Sequence, residues 1–288
     1  MPAGHGDPID VKGTEPELFG WLTGRAEGAG GLLARRAHAV GLAVKGKTVT
    51  DIKTQWHTLE TADGPMRLYA AYPEPQATRA VVVLQEAFGV NEHIQDITWR
   101  FAERGFLAVA PDLFHRNGVA ELRYDQHAEA MPLIGAIGPD AIITDISAML
   151  QKLADEGFAP ARIAIIGFCF GGRAAFTVAT AAPGLGAAVV FYGPGIAVGP
   201  HAVLDRVGSI TAPLLLHVGA QDPTIPAEQV EAIDAALRAC GADFAQHVYD
   251  GAGHAFACDA RPHMFREPAS TQAWERTFGF LDEHIPAK

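Results

Sequence analysis

Short, largely apolar runs alternate with longer amphipathic stretches along most of the chain. The runs at 80–84, 187–191 and 214–218 predict strands that are buried on both faces, and the segments 106–110, 162–166 and 245–249 predict further strands. The stretches predict helices, which lie at 93–104, 139–156, 172–180, 227–240 and 270–282. A turn sequence, Ala-Asp-Gly-Pro at 62–65, separates 56–61 from 66–72 and predicts a hairpin.

This alternation predicts an α/β fold, with a mostly parallel sheet covered by helices on both faces. The pattern occupies residues 55–288, which we expect to form one domain, and residues 1–54 form an N-terminal extension of unknown role. Parallel sheets carry their functional groups at the carboxyl ends of the strands. We therefore expect the chemistry directly after Leu84, Ala110, Ile166, Val218 and Tyr249.

The extension is rich in glycine, since residues 1–50 hold ten of the 31 glycines. Its pair Arg35-Arg36 precedes a short apolar stretch and resembles a twin-arginine export signal. His38 interrupts that stretch, Lys45 ends it, and no small-residue cleavage site follows. We therefore favour an extension that packs on the main domain or on a second subunit.

Hydrophobic residues make up 49% of the 288 residues and charged residues 19%, a balance that supports a packed core and excludes an intrinsically disordered chain. No apolar run approaches the roughly 18 residues that span a bilayer. The formal net charge of -11 argues against nucleic acid or an anionic membrane as the main partner. The three cysteines form no disulfide framework, which is typical of a reducing compartment such as the cytoplasm.

A cysteine follows the predicted strand 162–166 in the segment Gly-Phe-Cys-Phe-Gly-Gly at 167–172, which leads into a helix. A nucleophile elbow has this strand–turn–helix context, and its strained turn requires glycine two positions from the nucleophile. The helix N-terminus stabilises negative charge on the sulfur atom. Cys169 is therefore the predicted nucleophile, and the alternative is a small buried cysteine in a turn.

An acid and a histidine follow later strands in the chain order that the elbow predicts. Asp222 comes just after the strand 214–218, and His254 follows a Gly-Ala-Gly loop after the strand 245–249. Asp250 is a competing acid, but it lies nearer the end of its strand. We predict that Asp222 orients His254 and that His254 exchanges a proton with Cys169.

The loop after the strand 80–84 is the one that normally supplies an amide of the oxyanion hole. The predicted pair of amides belongs to Ala87 and Phe170. Glu86 stands beside them, where its carboxylate would raise the energy of a nearby thiolate. Glu86 either controls the protonation of Cys169 or has a structural role, as a turn cap or as the partner of an arginine.

Together these segments resemble the dienelactone hydrolase family, the carboxymethylenebutenolidases of the α/β-hydrolase superfamily. The resemblance covers about residues 55–284 and rests on the segments 85–91 (Gln-Glu-Ala-Phe-Gly-Val-Asn), 110–114 (Ala-Pro-Asp-Leu-Phe), 167–172, 219–222 (Gly-Ala-Gln-Asp) and 252–256 (Ala-Gly-His-Ala-Phe). It implies a Cys169–His254–Asp222 triad in an α/β-hydrolase fold. It also implies that Glu86 contacts the resting cysteine, shifts on substrate binding and takes the thiol proton. The thiolate then attacks a lactone carbonyl, and water releases the acyl-enzyme.

The family binds the carboxylate of its substrate with two arginines. Arg116 matches one of them, and the position of the other is Cys258 in this chain. The cysteine removes a fixed charge and a bidentate donor, although Arg261, three residues further along, could reach the pocket. The predicted substrate-binding residues are therefore Arg116, Phe88, Tyr192 and Arg261.

Two other functions are consistent with the sequence. A hydrolase of less anionic esters, lactones or thioesters would use the same machinery, and the cysteine at position 258 favours it. A thiol redox protein would use Cys169, with Cys258 as a resolving cysteine.

A metal site from His254, Cys258 and His263 matches no zinc spacing, so we expect neither metal nor cofactor. The expected partner is a small ester or lactone, without nucleic acid or membrane, and the expected assembly is a monomer or homodimer.

Overall fold

The computed structural model describes residues 51–119 and 121–287. The features predicted for residues 1–50, including the arginine pair, lie outside the described residues. The first strand begins at Asp51, ahead of the predicted domain boundary at residue 55. Within the described ranges no single helix is long and apolar enough to span a membrane. One pair of helices reaches that length and apolarity together, but the pair is bent by 83° between His127–Ala136 and Pro139–Asp155.

An eight-stranded sheet forms the centre of the described chain. Its strands are β1 (Asp51–Thr61), β2 (Gly64–Glu74), β3 (Ala80–Leu84), β4 (Leu107–Pro111), β5 (Ile163–Phe168), β6 (Ala187–Phe191), β7 (Leu214–Gly219) and β8 (Phe244–Tyr249). The helices are α1 (Glu92–Glu103), α2 (His127–Ala136), α3 (Pro139–Asp155), α4 (Phe170–Ala179), α5 (Ala227–Cys240) and α6 (Glu267–His284). Short 3₁₀ turns occupy His115–Asn117, Pro160–Arg162 and Leu204–Ser209.

The strand order is β1-β2-β4-β3-β5-β6-β7-β8. The predicted hairpin joins β1 to β2, which pairs antiparallel with β4, and all pairs from β4 to β8 are parallel. This order confirms the prediction of a mostly parallel sheet. Because the strands are parallel, the loops that follow β3, β5, β7 and β8 lie along the same edge.

Helices cover both faces of this sheet. On one face, Val81 and Val83 of β3 share a hydrophobic cluster with Phe101 of α1 and Trp274 of α6. Alternate strand residues point to the opposite face, where α4 contacts β3, β5 and β6 and also contacts α3. The central strands β3 to β6 are buried along their whole length, which explains their uninterrupted apolar sequences.

Arg79, directly before β3, connects the sheet to the C-terminal end of α6. Its buried guanidinium donates to Asp282 at 2.7 Å, to the carbonyl oxygen of Ile285 at 2.9 Å and to that of Arg104 at 2.9 Å. The guanidinium carbon also lies 3.9 Å from the centre of the Phe106 ring. These contacts compensate part of the cost of burying the charge, because both Nη atoms donate inside the protein, whereas the buried Nε–H has no partner among the described residues.

Helices α4 and α6 begin earlier than predicted, and helix α2 was not predicted. The last helix, predicted at 270–282, spans Glu267–His284. The helix predicted at 172–180 begins earlier, at Phe170, because Cys169 itself is the residue that caps it. Helix α2 was not predicted, since Pro132 and Gly135 interrupt a segment without a clear apolar stripe. Pro132 is the sixth of the ten residues of α2, and the helix tolerates it because the helix is short and mostly exposed, so that water can reach the carbonyl group left without a partner.

Candidate active site

Cys169 occupies the sharp turn between β5 and α4. Its backbone has φ 55° and ψ −118°, a conformation that residues other than glycine rarely adopt. Its amide N–H donates to the carbonyl oxygen of Phe191 at 3.0 Å, which fixes the turn to β6. The thiol is free and partly exposed at the N-terminus of α4. This is the geometry of a nucleophile elbow.

Close backbone contacts require the glycines of this turn. A Cβ atom at Gly167 would collide with the carbonyl group of Gly171, and one at Gly171 would collide with the carbonyl group of Leu84. Neither position therefore has room for a side chain. The second contact also presses the end of β3, and with it the loop that begins at Gln85, against the elbow.

Asp222 and His254 form a hydrogen-bonded pair beyond the carboxyl ends of β7 and β8. His254 Nδ1 lies 2.7 Å from Asp222 Oδ2. The other carboxylate oxygen accepts the amide N–H and the hydroxyl of Thr224, at 2.8 and 2.6 Å. A Cβ atom at Gly219 would meet the carbonyl oxygen of Ala252 at 2.5 Å, so glycine is needed where the two loops approach each other.

The charges of the neighbouring groups govern the titration of this pair. Burial lowers the pKa of His254, but the charge of Cys169 and the hydrogen bond to Asp222 outweigh burial and raise the pKa to about 10. Burial raises the pKa of Asp222, whereas the hydrogen bond and charge of His254 lower it below its ordinary value. A histidine held between a carboxylate and a cysteine is the arrangement that activates a thiol. Asp250, the competing acid, is exposed.

Glu86 lies in the loop after β3 and is 1% exposed. Its Oε2 accepts a hydrogen bond from Cys258 Sγ at 3.8 Å, and the Tyr124 hydroxyl lies 3.6 Å from the same sulfur. Among the hydrogen bonds of residues 51–119 and 121–287, none joins Glu86 to Cys169. The expected contact of Glu86 with the resting nucleophile is therefore replaced by a contact with Cys258, the residue that stands where the family has an arginine.

His93 completes this buried group, although the sequence analysis did not select it. One donor atom from each of Glu86, His93 and Cys258 lies within 4.8 Å of the others, so the three side chains could hold a metal ion. This set shares only Cys258 with the metal set weighed from the sequence. The sequence could have indicated His93, because this residue lies in the first turn of α1, shortly after the loop that carries Glu86.

The predicted oxyanion amides lie on either side of the elbow. Phe170 is the first residue of α4, and Ala87 lies in the loop that the elbow contacts. Neither amide N–H donates a hydrogen bond to any other residue in the part of the chain that the structure describes. Both N–H groups are therefore available to a substrate oxygen.

Three of the predicted substrate-binding residues lie beside this site. The Tyr192 ring is 5.3 Å from the His254 ring, and its buried hydroxyl has no hydrogen-bond partner among the described residues. The Phe88 ring packs edge-on against Tyr124 at 4.9 Å. The Arg261 guanidinium lies over both of these rings, 5.5 Å from Phe88 and 5.0 Å from Tyr124.

Arg116, a predicted ligand of the substrate carboxylate, forms ion pairs within the protein. Its guanidinium donates to the carboxylates of Asp63 and Asp145, and Nη1 lies 2.9 Å from His115 Nε2. Four of its N–H groups donate to the two carboxylates, and His115 Nε2 also lies 3.2 Å from both oxygens of Asp145. Because Asp145 is fully buried on α3, this network holds the 3₁₀ turn against that helix and engages most of the donors of Arg116.

Arg173 is a cation near the elbow that the sequence analysis missed. It lies four residues after Cys169, one turn along α4, and its guanidinium is 5.4 Å from the centre of the Phe170 ring. Burial lowers its pKa, while the charge of Cys169 raises it, as expected for neighbouring groups. The sequence could have indicated Arg173, because it lies four residues after the predicted nucleophile, a spacing that brings side chains together on a helix.

Comparison with known proteins identifies relatives over most of the chain. The model of the dienelactone hydrolase family matches residues 66–285. A protein of Yersinia pestis named "Putative carboxymethylenebutenolidase" is 35% identical over 233 residues, which cover 79% of this chain and 87% of that protein. A protein of the same name from Salmonella typhimurium is 36% identical over 223 residues, covering 75% of this chain and 82% of that protein.

The fold leads to the same group of proteins. The crystal structure of a "Putative Dienelactone Hydrolase" from Klebsiella pneumoniae has a TM-score of 0.74 and 31% identity, and the similarity covers 81% of this chain and 99% of that chain. The sheet, the elbow and the matched segments therefore agree on one assignment. The chain belongs to the dienelactone hydrolase family and is a hydrolase of lactones or esters.

Proposed function

We propose that the chain cleaves its lactone or ester substrate through a covalent acyl-enzyme on Cys169. The observation that carries this proposal is the 2.7 Å hydrogen bond between His254 Nδ1 and Asp222 Oδ2, close to the elbow cysteine. The charge of Cys169 raises the pKa of His254, which supports direct proton exchange between the two side chains. In the proposed triad Asp222 orients His254, and His254 exchanges a proton with Cys169.

In the proposed reaction the Cys169 sulfur attacks the substrate carbonyl carbon, and the carbonyl electron pair moves onto oxygen. The amides of Ala87 and Phe170 bind that oxyanion. When the intermediate collapses, the bond to the alkoxide or enolate breaks, and His254 gives the leaving oxygen its proton. Water then attacks the thioester while His254 takes its proton, and the acid product leaves Cys169 as a thiolate.

The resemblance to the family implies that Glu86 accepts the proton of Cys169, whereas we propose a different first acceptor. Glu86 bonds to Cys258, so its carboxylate must move before it can reach Cys169. We propose that His254 is the acceptor at rest and that Glu86 contributes only when bound substrate displaces it. A thiol that is fully activated only in the presence of substrate is less exposed to oxidation.

The cations around the site favour a second candidate function, the hydrolysis of neutral esters and lactones. Arg116 is committed to Asp63 and Asp145, and Cys258 occupies the other arginine position. Arg261 lies over aromatic rings instead of forming an ion pair. We propose that a substrate with one negative charge fewer than a dienelactone is turned over at least as well.

The acyl-enzyme is tested by replacing the nucleophile. We expect Cys169→Ala to lower kcat/KM for a p-nitrophenyl ester by roughly 10⁴-fold or more, because no other group can form the thioester. Rapid-quench mass spectrometry of the wild type should show one acyl group on the peptide that contains Cys169. Cys240→Ser removes an exposed thiol and serves as the matched control. Wild-type turnover by Cys169→Ala would refute the assignment.

The charge preference is tested with pairs of substrates. Each pair contains one neutral ester or lactone and its carboxylated analogue, and the ratio of their kcat/KM values is the readout. We expect a ratio of one or more in favour of the neutral substrate. A strong preference for the carboxylated substrate would contradict this second proposal and would favour a dienelactone as the substrate. Another cation of the protein would then have to bind the carboxylate.

A further inference from the structure

The buried group formed by Glu86, His93 and Cys258 is separate from the Cys169–His254–Asp222 set. Glu86 comes from the loop after β3, His93 from the first turn of α1 and Cys258 from the loop after β8. Their exposed fractions are 1%, 5% and 0%. One donor atom from each lies within 4.8 Å of the others, and Glu86 Oε2 is 3.8 Å from Cys258 Sγ.

Two buried polar atoms of this group, Glu86 Oε1 and His93 Nε2, have no nitrogen or oxygen partner among the described residues. The group that His93 meets besides Asp259 is the Cys258 thiol, a weak hydrogen-bonding partner. Buried polar atoms in folded proteins nearly always have a partner, and those without one call for an explanation such as a bound ion. Both atoms belong to side chains that each place a donor atom within 4.8 Å of the others, so an ion bound among them would supply the missing partner.

The remaining nitrogen of His93 is held as it is in metal-binding histidines. His93 Nδ1 lies 3.3 Å from Asp259 Oδ1, and Arg100 donates to the other oxygen of Asp259 at 2.5 Å. A carboxylate on Nδ1 fixes the ring and presents the lone pair of Nε2 to a metal. Arg100 is itself paired with Asp96, so the supporting carboxylate belongs to an ordered ion-pair network.

The ligand types and their charges select the class of cation. A thiolate, a carboxylate and a neutral imidazole carry two negative charges, which balance a divalent ion inside the protein. Thiolate and imidazole suit Zn²⁺, whereas Ca²⁺ and Mg²⁺ require more oxygen ligands than are present among the described residues here. Three protein ligands would leave a fourth position for water or another ligand. The Tyr124 hydroxyl lies 3.6 Å from Cys258 Sγ.

We propose that Glu86, His93 and Cys258 form a binding site for Zn²⁺ or a chemically similar divalent transition-metal ion. Asp259 positions His93, and Arg100 positions Asp259. This site goes beyond the proposed hydrolysis. It shares Glu86 with that reaction, and a bound ion would hold that carboxylate away from Cys169. None of Cys169, His254 and Asp222 is a ligand, so the triad does not depend on the ion. The site also differs from the expectation, made from the sequence, that the chain binds no metal.

The test uses Co²⁺ as a spectroscopic probe. The full chain is expressed in minimal medium supplemented with Co²⁺, so that the ion is present while the buried site forms. The readouts are the ratio of cobalt to protein and the thiolate-to-cobalt charge-transfer absorption, neither of which requires enzyme activity. The chain has only three cysteines, so single replacements identify the thiolate that binds the metal.

We expect about one Co²⁺ per chain and the charge-transfer band in the wild type, in Cys240→Ser and in Cys169→Ala. Cys258→Ser should lose the band, with its folding checked by circular dichroism and thermal unfolding. Asp259→Asn keeps all three ligands and should weaken the affinity for Co²⁺ about 10- to 100-fold in competition with a chelator. It therefore tests the site even if Cys258→Ser does not fold.

Three results would overturn the proposal: no charge-transfer band in the wild type, a band that persists in Cys258→Ser, or an unchanged affinity in Asp259→Asn. A band that is lost only in Cys169→Ala would show that the ion binds the proposed nucleophile instead. Loss of ester hydrolysis in Cys169→Ala together with metal binding in the same variant would separate the two proposals, since each can fail without the other.

Discussion

Glu86 belongs to two neighbouring groups, the loop that contacts the elbow and the buried set that it forms with His93 and Cys258. Its carboxylate is buried in the loop pressed against the elbow, yet its hydrogen bond is to Cys258 and not to the proposed nucleophile. An arginine at position 258 would hold a carboxylate by charge, whereas a thiol holds it by a weak hydrogen bond. The cysteine therefore leaves the carboxylate freer to move than a salt bridge would.

We predict that Glu86→Gln slows acylation of Cys169 about tenfold. The amide cannot accept the thiol proton, but His254 remains as a base, so the loss is smaller than that of a sole general base. Single-turnover kinetics with a p-nitrophenyl ester measures the acylation step directly. Glu228→Gln, an exposed residue in the first turn of α5, is the matched control. Equal acylation rates in Glu86→Gln and the wild type would limit Glu86 to a structural role.

The elbow turn is the element on which the site most depends. We predict that Gly171→Ala destabilises the protein by about 3 kcal/mol, because the added Cβ collides with the backbone carbonyl of Leu84 and forces β3 and α4 apart. Gly279→Ala, in an open position of α6, should instead stabilise it by about 0.5–1 kcal/mol, since alanine favours a helix.

Urea unfolding of the two glycine variants measures both effects in one experiment. Both variants add the same methyl group, so the contrast isolates the surroundings of each glycine. A Gly171→Ala protein as stable as the wild type would show that the elbow can move away from β3. It would also remove the packing argument for glycine at this position.

Elements that are defined by continuous apolar sequence could be predicted well. Strands β3 and β6 and helix α5 have the predicted bounds, and α5 ends just before Gly241, whose positive φ of 72° suits a glycine C-cap. The start of α4 was misplaced because a strained cysteine replaces an ordinary cap. Helix α2 could not be predicted from periodicity, because its segment is mostly exposed and contains proline.

Across the whole molecule, the contacts that the sequence could predict are those set by strand order. Asp222 and His254 follow neighbouring parallel strands, so their approach follows from the fold. The contact of Glu86 with Cys258 joins residues 172 positions apart through side-chain packing alone. The ion pairs of Arg116 could not be predicted, because its partners Asp63 and Asp145 come from a hairpin and from α3, which no local pattern brings together.

A buried histidine links β7, β8 and α6. His217 Nδ1 accepts from the Tyr249 hydroxyl at 2.8 Å, and its Nε2 lies 3.0 Å from Thr277 Oγ1, whose own proton goes to the Ala273 carbonyl. The ring therefore has one acceptor and one donor nitrogen, which is the neutral form. Burial lowers the pKa of His217 well below 6.5, and the nearby charge of His247 lowers it further.

We predict that the free energy of unfolding falls as the pH decreases below about 6.5, because the unfolded chain then binds a proton at residue 217 that the folded chain excludes. Above that pH both states hold a neutral ring, so this group has no effect. The slope approaches about 1.4 kcal/mol per pH unit for one proton. His217→Gln should reduce that slope, and His263→Gln, an exposed control, should not. Identical slopes in all three proteins would contradict the assignment.

The link from Arg79 to the end of α6 determines how far the chain can be shortened. Ile285 is fully buried, its carbonyl oxygen binds the guanidinium, and its side chain lies against Gly186. Removal of Ile285 would leave a buried cation short of an acceptor at the amino end of the central strand. Trimming the last few residues, a routine step before crystallisation, would therefore alter the interior of the sheet and not merely a surface tail.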